Sequence, residues 1–407
     1  MSLEILKQNL LSRWKQAFQE FDRLQQYKTN VTSEKYIPGF RYHLEDYGTP
    51  AFLQPEEKLF PVAAVREISD YHFYGFSADG LPCYTSYGHA VTNESWQGYY
   101  SYGKEWIEYV EYNTATKIPS GIKRIQYDEN GQKVAYQSLR VIGRGEGDVY
   151  TDMDEAEKIA SIIDHEHSLV CSIEKYELSA GRIEKGHCLS ITPGTGESEY
   201  ENSYKYNSDG ILEEIRTVYA SGVSRLSYVR PEEKLNIQTL MATVVESLAI
   251  AITDALETHK VETPLSLLEL SYHYADVYIP LLSPRSVAFT KQISRQHPDE
   301  DIFDLIFLAT ELDHAYLAIA SEKFERPFTQ LMQIISKEEK WEMGSVLLRK
   351  VAHILTSEKL FGRLPVGEEF AAYAVDWGME MEDFEDVLRE CGVTGKVISS
   401  WKERGWL

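Results

Sequence analysis

A short tyrosine-containing pattern that recurs three times constrains the fold of this 407-residue chain more than any other feature. Residues 125–131 read IQYDENG, residues 204–210 read YKYNSDG, and residues 74–80 give a looser copy, YGFSADG. Each copy ends in Asn-Gly or Asp-Gly between strand-like residues, and that dipeptide suits the positive φ angles of a tight hairpin turn. The pattern therefore predicts antiparallel hairpins, and residues 211–229 continue the copy at residues 204–210 as a meander.

The distribution of tyrosine predicts where the sheet ends. Of the 27 tyrosines, 21 fall between residues 31 and 230, and tyrosine favours pleated, half-buried surfaces. Beyond residue 231 the chain changes to Leu, Ala, Glu and Lys at helical spacing. We therefore predict an α+β protein with a Tyr-rich antiparallel β domain over residues 31–230, carrying one helix near 152–167, and a mostly helical α+β domain over residues 231–407.

Residues 1–30 predict an amphipathic helix that packs on the β domain. One apolar stripe recurs at steps of three and four residues, which is the period of a helix with one buried face. A detached helix that binds a partner is the alternative. The stripe consists of Leu6, Leu10, Trp14, Phe18, Phe21 and Leu24.

The three hairpin copies are similar to the tyrosine-aspartate repeats of bacterial Rhs-type shell proteins. That resemblance implies a meandering antiparallel sheet. The turn glycines Gly80, Gly131 and Gly210 lie 51 and 79 residues apart, so the spacing is irregular. The irregular spacing departs from the family and argues against a Rhs-type shell.

The last third of the chain reads as a helix, two short strands, several helices, a strand and closing helices. The predicted helices include one over residues 302–320, and the late strand covers residues 370–375. Together with the segment LFG at residues 360–362, this order resembles a small α+β domain of uncharacterised bacterial proteins, some of which are considered toxin-immunity factors. The resemblance implies an immunity-like role.

The charge of the chain restricts its partners. The formal net charge is −23 and the pI is about 5.0, so the protein field repels nucleic-acid phosphates and anionic lipid. We expect no nucleic acid and no membrane among its partners, and instead a basic protein such as a toxin. The four cysteines form no CxxC pair, and neither a secretory signal nor a membrane-spanning apolar run is evident. The sequence thus predicts a cytoplasmic protein, and it indicates no cofactor.

Residues 164–167, Asp-His-Glu-His, form the densest cluster of metal-capable side chains. Zinc hydrolases often place two histidines four residues apart on a helix so that both face one ion. Here His165 and His167 are two residues apart, which separates them on a helix but would bring them onto one face of a strand. A metal site formed by His165, Glu166 and His167 is one interpretation, and the solvated end of a helix is the other.

Other catalytic arrangements have weaker support in the sequence. Cys83 near His89, or Cys188 beside His187, could form a thiol–imidazole pair, but adjacent residues on a strand point to opposite faces. An ordinary buried cysteine accounts for each. The remaining candidates also have ordinary structural interpretations: Asp376 at a strand end, the pair Asp313-His314, and the glycine-rich loop 143–147.

An aromatic run over residues 96–112 predicts a contact surface. With a period of two, Tyr100 and Tyr102 share a face of a strand, and Trp96 can join it. Such faces bind sugars or protein partners through stacking and buried area, although a sheet core explains the same pattern. We name Trp96, Tyr100, Tyr102 and Trp106 as candidate partner-binding residues.

These observations predict a non-catalytic, acidic protein-binding module that resembles immunity or antitoxin proteins. A basic partner would be steered by charge and then anchored by aromatic side chains. Two alternatives remain open: a metal-dependent hydrolase that uses residues 164–167, and a scaffold that self-associates through its hairpins.

Overall fold

The chain folds into two compact units, Met1–Tyr228 and Val229–Leu407. We call them the N-terminal and C-terminal units. The computed structural model describes residues 1–37, 44, 72–89, 94–142, 153–164, 168–193, 196–230, 236–273, 276–297, 302–307, 317, 319, 322–338, 340, 342–376 and 384–407.

The N-terminal unit begins with helices and continues as a β-meander. The helices are α1 (Leu3–Ala17), α2 (Phe21–Leu24) with a 3-10 turn at Gln25–Asn30, and α3 (Glu155–Asp164). The strands are β1 (Ser33–Ile37), β2 (His72–Phe76), β3 (Pro82–His89), β4 (Glu94–Tyr102), β5 (Trp106–Asn113), β6 (Pro119–Tyr127), β7 (Lys133–Val141), β8 (Leu169–Ser179), β9 (Arg182–Thr192), β10 (Gly196–Tyr206), β11 (Leu212–Tyr219) and β12 (Ser224–Val229).

Within the described residues these twelve strands form one sheet, in which every strand lies beside its neighbours in sequence. The described pairings from β1 to β11 are antiparallel. The predicted N-terminal helix and antiparallel meander in an α+β protein are confirmed at this level. Since every pairing joins neighbours in the chain, the order of the sheet follows the order of the sequence.

The three recurring hairpins have the same turn, and the turns lie at the same end of the strands, between β2 and β3, β6 and β7, and β10 and β11. In the second copy Asp128 N donates 2.9 Å to Gln132 O, and in the third Asn207 N donates 2.9 Å to Ile211 O. The turn glycines have φ angles of +74°, +76° and +78°, which favour glycine. A β-bulge precedes each turn. The longer interval between the second and third copies contains α3, which explains the irregular spacing.

Helix α1 packs on one side of the sheet, which we call the helix face and define by Tyr99, Val110 and Leu139. The opposite side, with Tyr100 and Tyr109, is the tyrosine face. The apolar stripe of α1 is buried against the helix face, as its period predicts. Two hydrogen bonds fix the helix: Trp14 Nε1 donates 2.8 Å to Pro119 O, and Tyr112 Oη donates 2.7 Å to Ala17 O.

The C-terminal unit combines helices with a small sheet. The helices are α4 (Ile237–Thr258), α5 (Val287–Gln296), α6 (Phe303–Phe307), α7 (Glu322–Glu338), α8 (Glu342–Ser357), α9 (Phe384–Glu390) and α10 (Gly395–Glu403). The strands are β13 (Leu265–His273), β14 (Asp276–Ser286) and β15 (Val366–Asp376), and among the described residues they form a sheet in the order β14-β13-β15.

Helix α4 is the central helix of this unit. It has 22 residues, and its most apolar 18-residue window has a mean hydropathy of 1.6, so by length and composition it could cross a membrane. However, 61% of that window is buried inside the protein. Its buried residues belong to the same core as β13 and β15. Packing in that core accounts for its apolar composition.

The small sheet departs from local chain order. Strand β13 pairs antiparallel with β14 and parallel with β15, and almost a hundred residues separate β13 from β15. Pro280 and Pro284 lie in β14, which is an edge strand within the described part of the unit, where a missing N–H is tolerated.

One predicted helix was wrong in extent. The helix predicted over residues 302–320 corresponds to α6, which ends at Phe307, and Leu317 forms an antiparallel bridge with Leu282 of β14. The backbone of Leu317 exchanges two hydrogen bonds with Leu282, of 3.1 and 2.9 Å. Pairing with the sheet edge replaces helical hydrogen bonds at this position, and apolar periodicity does not report such pairing.

Candidate functional site

The predicted aromatic residues of β4 share one face, but they differ in exposure. Trp96, Tyr100 and Tyr102 all lie on the tyrosine face. Tyr100 is 1% exposed and its ring lies 4.8 Å from that of Tyr109, so it contributes to the core. Tyr102 is 42% exposed and donates a hydrogen bond of 2.8 Å to Pro82 O. Half-buried Trp96 stacks on Tyr87 at 5.2 Å.

Trp106 lies on the helix face. Ile107 pairs with Tyr102 and therefore shares the tyrosine face, and adjacent residues of a strand point to opposite faces. The ring of Trp106 packs against Gly103 and lies 5.0 Å from the guanidinium of Arg124, which in turn approaches Glu108 at 3.4 Å. The four predicted aromatic residues are therefore divided between two faces. They do not form one continuous contact surface.

The predicted metal cluster consists of His165, Glu166 and His167, and these residues lie outside the described part of the chain. They follow Asp164, the last residue of α3. Among the described residues there is no group of three or more His, Cys, Asp or Glu side chains placed to hold a metal ion. The loop 143–147 and the pair Asp313-His314 also lie outside the described residues.

The two thiol–imidazole candidates have different surroundings. Cys188 is buried, with its Sγ 3.3 Å from Asn202 Nδ2, whereas the adjacent His187 has its Nε2 2.8 Å from Glu177 on the helix face. Burial raises the pKa of the Cys83 thiol, and its candidate partner His89 has no described side chain. Desolvation of a thiol opposes formation of the nucleophilic thiolate. Asp376 is the last residue of β15.

A groove between α4 and α8 in the C-terminal unit has a volume of about 700 Å³. Its apolar lining includes Met241 and Val245 of α4 and Ile354 of α8, and Phe361 stands at its rim. We call it the α4–α8 groove. Its size lies within the usual range of ligand and partner-binding clefts.

The rim residue Phe361 is held out by an unusual backbone turn. Lys359, Leu360 and Phe361 have consecutive positive φ angles of 44°, 54° and 55°, followed by Gly362 at 65°. A left-handed conformation costs a residue with a Cβ atom roughly 1–2 kcal/mol, so three in succession require support from their surroundings. Such strained backbone is concentrated at functional sites.

Contacts of the residues before and after Phe361 stabilise this turn. Leu360 is fully buried in the core. Arg363 binds two carboxylates of α4, with 2.7 Å from its Nη1 to Asp254 and a second ion pair to Glu257. These partners raise the pKa of the Arg363 guanidinium, which stays charged. Phe361, between the two anchors, is 38% exposed beside the groove.

Charged side chains surround the apolar floor of the groove. Glu246 and Glu358 line it together with one lysine, Lys350, whose Nζ lies 3.9 Å from Met241 Sδ. Carboxylates therefore outnumber ammonium groups in the lining. The arrangement contains an apolar floor, an exposed ring and an acidic rim, which suits a contact with an amphipathic basic segment.

The sequence did not predict this groove. Only the tertiary packing of α4 against α8 brings its two walls together. The one local signal was Phe361 directly before Gly362, an aromatic residue within a turn.

Comparison with models of known protein families and with curated proteins finds no match for this chain.

Proposed function

We propose that the chain is a non-catalytic protein-binding module that captures a basic protein partner, and that the α4–α8 groove is its contact surface. The observation that carries the proposal is the exposed ring of Phe361, presented on three consecutive left-handed residues beside an apolar floor. Leu360 and Arg363 anchor the turn on either side of Phe361, but neither anchor uses the exposed ring. A partner that buries this ring would gain an aromatic anchor.

Charge supports a basic partner. The net charge of −23 produces a field that raises the rate of encounter with positively charged proteins. Within the groove, a segment with one apolar side chain would cover Met241 and Phe361, while its basic residues would face Glu246 and Glu358. Steering would thus come from the whole chain and anchoring from the groove.

The proposed role is of the immunity or antitoxin kind, in the cytoplasm. Basic nucleases are a class of partner that an acidic binding protein neutralises well. The state of the cysteines supports the location, since all four are buried and form no disulfide bond with one another. Trp96 and Tyr102 remain candidates for a secondary contact, because both have exposed area on the N-terminal unit.

The test is affinity capture with the tagged chain from native lysate at low salt, followed by measurement of association with the captured basic protein. Phe361→Ala should weaken binding about thirtyfold, which corresponds to about 2 kcal/mol for an aromatic anchor. The association rate should fall steeply between about 50 and 500 mM salt, because screening removes long-range steering.

A matched control is Ile211→Ala, which removes a similarly exposed apolar side chain, 43% exposed, from the N-terminal unit. This variant should bind like the wild type. Equal affinity of the Phe361→Ala protein and the wild type would refute the groove as the contact surface. An association rate that does not change with salt would refute steering.

A further inference from the structure

A second cleft in the C-terminal unit has features of a small-molecule site that the protein-binding role does not use. It has a volume of about 450 Å³ and lies where α5, the start of β15 and the chain end meet. We call it the C-terminal cleft. Its volume lies within the range of pockets that enclose small ligands.

The wall formed by β15 is shaped by an irregularity in the strand. Leu265 of β13 pairs with Val366 of β15, but Leu267 pairs with Ala371. A step of two residues along β13 therefore corresponds to a step of five residues along β15. The extra residues bulge, and residues 367–370 all line the cleft. Bulges of this kind redirect side chains and are common beside functional sites.

Glycine at position 367 lets this wall approach α5 closely. A Cβ atom at Gly367 would lie 2.9 Å from Val287 Cγ2, closer than such atoms normally come. A larger residue would push the bulge and α5 apart. The width of the cleft therefore depends on this glycine.

The chain end forms an ordered aromatic wall. The rings of Trp401 and Trp406 stack with centroids 6.4 Å apart, and Trp406 Nε1 donates 2.9 Å to Ser294 of α5. The guanidinium of Arg404 lies 4.7 Å from the ring of Trp406 and forms an ion pair with Glu369. These contacts hold the wall in position before any ligand arrives.

The charges in the cleft are not balanced. Arg404 forms an ion pair with Glu369. Burial alone would raise the pKa of the Glu369 carboxyl, but the hydrogen bonds from Arg404 and Ser400 have the larger effect, so the pKa is lowered. Lys291 and Arg295, one helical turn apart on α5, make no ion pair with any described residue. With Glu368 counted, the lining has a net positive charge in a unit that has 17 basic and 30 acidic residues from position 231 onward.

Arg404 also has N–H groups that donate no hydrogen bond to the described residues. Its hydrogen bonds to Glu369 and Ser400 both use Nη2, so Nε and Nη1 have no acceptor among the described residues. A guanidinium with a fixed orientation and free N–H groups is a good receptor for a carboxylate or phosphate oxygen. Lys291 and Arg295 would add two further cations at the same mouth.

We propose that the C-terminal cleft binds a small organic anion, with its apolar body against Trp406 and Phe370 and its acidic group between Arg404, Lys291 and Arg295. A positive, aromatic-walled cleft in an otherwise acidic unit favours this ligand class over cations and over neutral molecules. The site is separate from the α4–α8 groove and shares no lining residue with it.

The test is a tryptophan-fluorescence titration of the full chain at neutral pH and low salt with two probes of equal shape, 1-naphthoate and the neutral 1-naphthamide. Naphthoate should bind saturably at one site and about tenfold more tightly than the amide, the effect expected of a charge-assisted contact. In the Lys291→Gln/Arg295→Gln double variant the affinity for naphthoate should fall severalfold towards that of the amide, and Arg404 should account for the preference that remains.

Lys396→Gln is the matched control, because Lys396 is an exposed lysine of α10 that does not line the cleft. It should leave both affinities unchanged. The proposal is overturned if naphthoate does not bind, if the wild type binds both probes equally, or if the double variant binds naphthoate as the wild type does. Capture of a basic partner through the α4–α8 groove should be unaffected by the double variant, so this proposal and the protein-binding role fail independently.

Discussion

The two units are stabilised in different ways. In the described N-terminal unit each strand pairs with its sequence neighbours, and α1 packs on part of one face of the long sheet, over β6 to β9. In the C-terminal unit β13 pairs with β15 across a large part of the chain, and one core contains residues from α4, the sheet and the later helices. Because its strands pair locally, the fold of the N-terminal unit can be predicted from its sequence. The grooves of the C-terminal unit depend on contacts between residues that are distant in the chain, so the sequence does not predict them.

The units also differ in how they bury charge. On the helix face Arg13 binds Glu108 at 2.8 Å with the arginine still partly exposed. In the C-terminal unit Arg285 and Glu269 are both almost fully buried and 2.8 Å apart, and Arg285 Nη1 also donates 2.9 Å to Tyr373 Oη. A fully buried pair depends on both partners far more than a partly exposed pair does.

Removal of the α1 anchor is one of the two changes that should have the largest effect on stability. Trp14→Ala deletes a side chain with no exposed area together with its hydrogen bond to Pro119 O, so we expect a loss of about 3–5 kcal/mol. Hydrogen exchange should increase over β6 to β9. Unchanged protection there would contradict the claim that α1 stabilises the helix face.

The buried ion pair tests the C-terminal unit. Arg285→Met should cost about 3–5 kcal/mol in urea unfolding, because it leaves the Glu269 carboxylate buried without its cation. Adding Glu269→Leu should recover most of that loss, since an apolar pair of similar volume needs no desolvation of charge. If the double variant is less stable than the single one, the pair contributes net stability and the expectation is wrong.

The hairpin turns should tolerate change better. Gly131→Ala should cost about 1–2 kcal/mol, because its φ of +76° disfavours a Cβ although no atom lies within 4 Å of it. Gly395→Ala is the control, since that glycine also has open space, but lies in α10 without a positive φ, and should be neutral or slightly stabilising. Equal effects of the two substitutions in thermal unfolding would exclude backbone conformation as the cause.

The smallest effect concerns pH. The pKa of Glu369 is lower in the folded protein than its ordinary value of 4.5, so its ionised form contributes stability above that pH and loses it as the pH falls through the lowered value. Glu369→Gln should therefore reduce stability at pH 7 and flatten the acid side of the stability profile. A variant whose profile parallels the wild type below pH 4.5 would show that Arg404 does not stabilise the carboxylate.

Local sequence signals predicted part of the fold. The Asn-Gly and Asp-Gly turns, the tyrosine alternation and the α1 stripe are local signals, and the helix and meander that they predict are present. Leu317 was misassigned because its pairing with Leu282 joins distant parts of the chain. The alternation of β4 correctly put Tyr100 and Tyr102 on one face, but it could not report that one is buried and the other exposed.

Neither cleft had a signature in the sequence. Phe361 and Met241 are more than a hundred residues apart, and so are Lys291 and Arg404. Their proximity depends on helix packing in the C-terminal unit. Motif searching detects sites whose ligands share one loop or helix, such as residues 164–167, and it therefore directed attention away from these clefts.

Cross-linking mass spectrometry of the tagged chain in native lysate tests the proposed protein-binding role most directly. Lys350 and Lys359 are exposed lysines beside the α4–α8 groove, and Lys104 and Lys205 are exposed lysines of the N-terminal unit. We predict that a basic protein, released by moderate salt, cross-links to Lys350 and Lys359 and that Phe361→Ala removes those cross-links. A basic partner that cross-links only to Lys104 or Lys205, or the absence of any partner at low salt, would contradict the account.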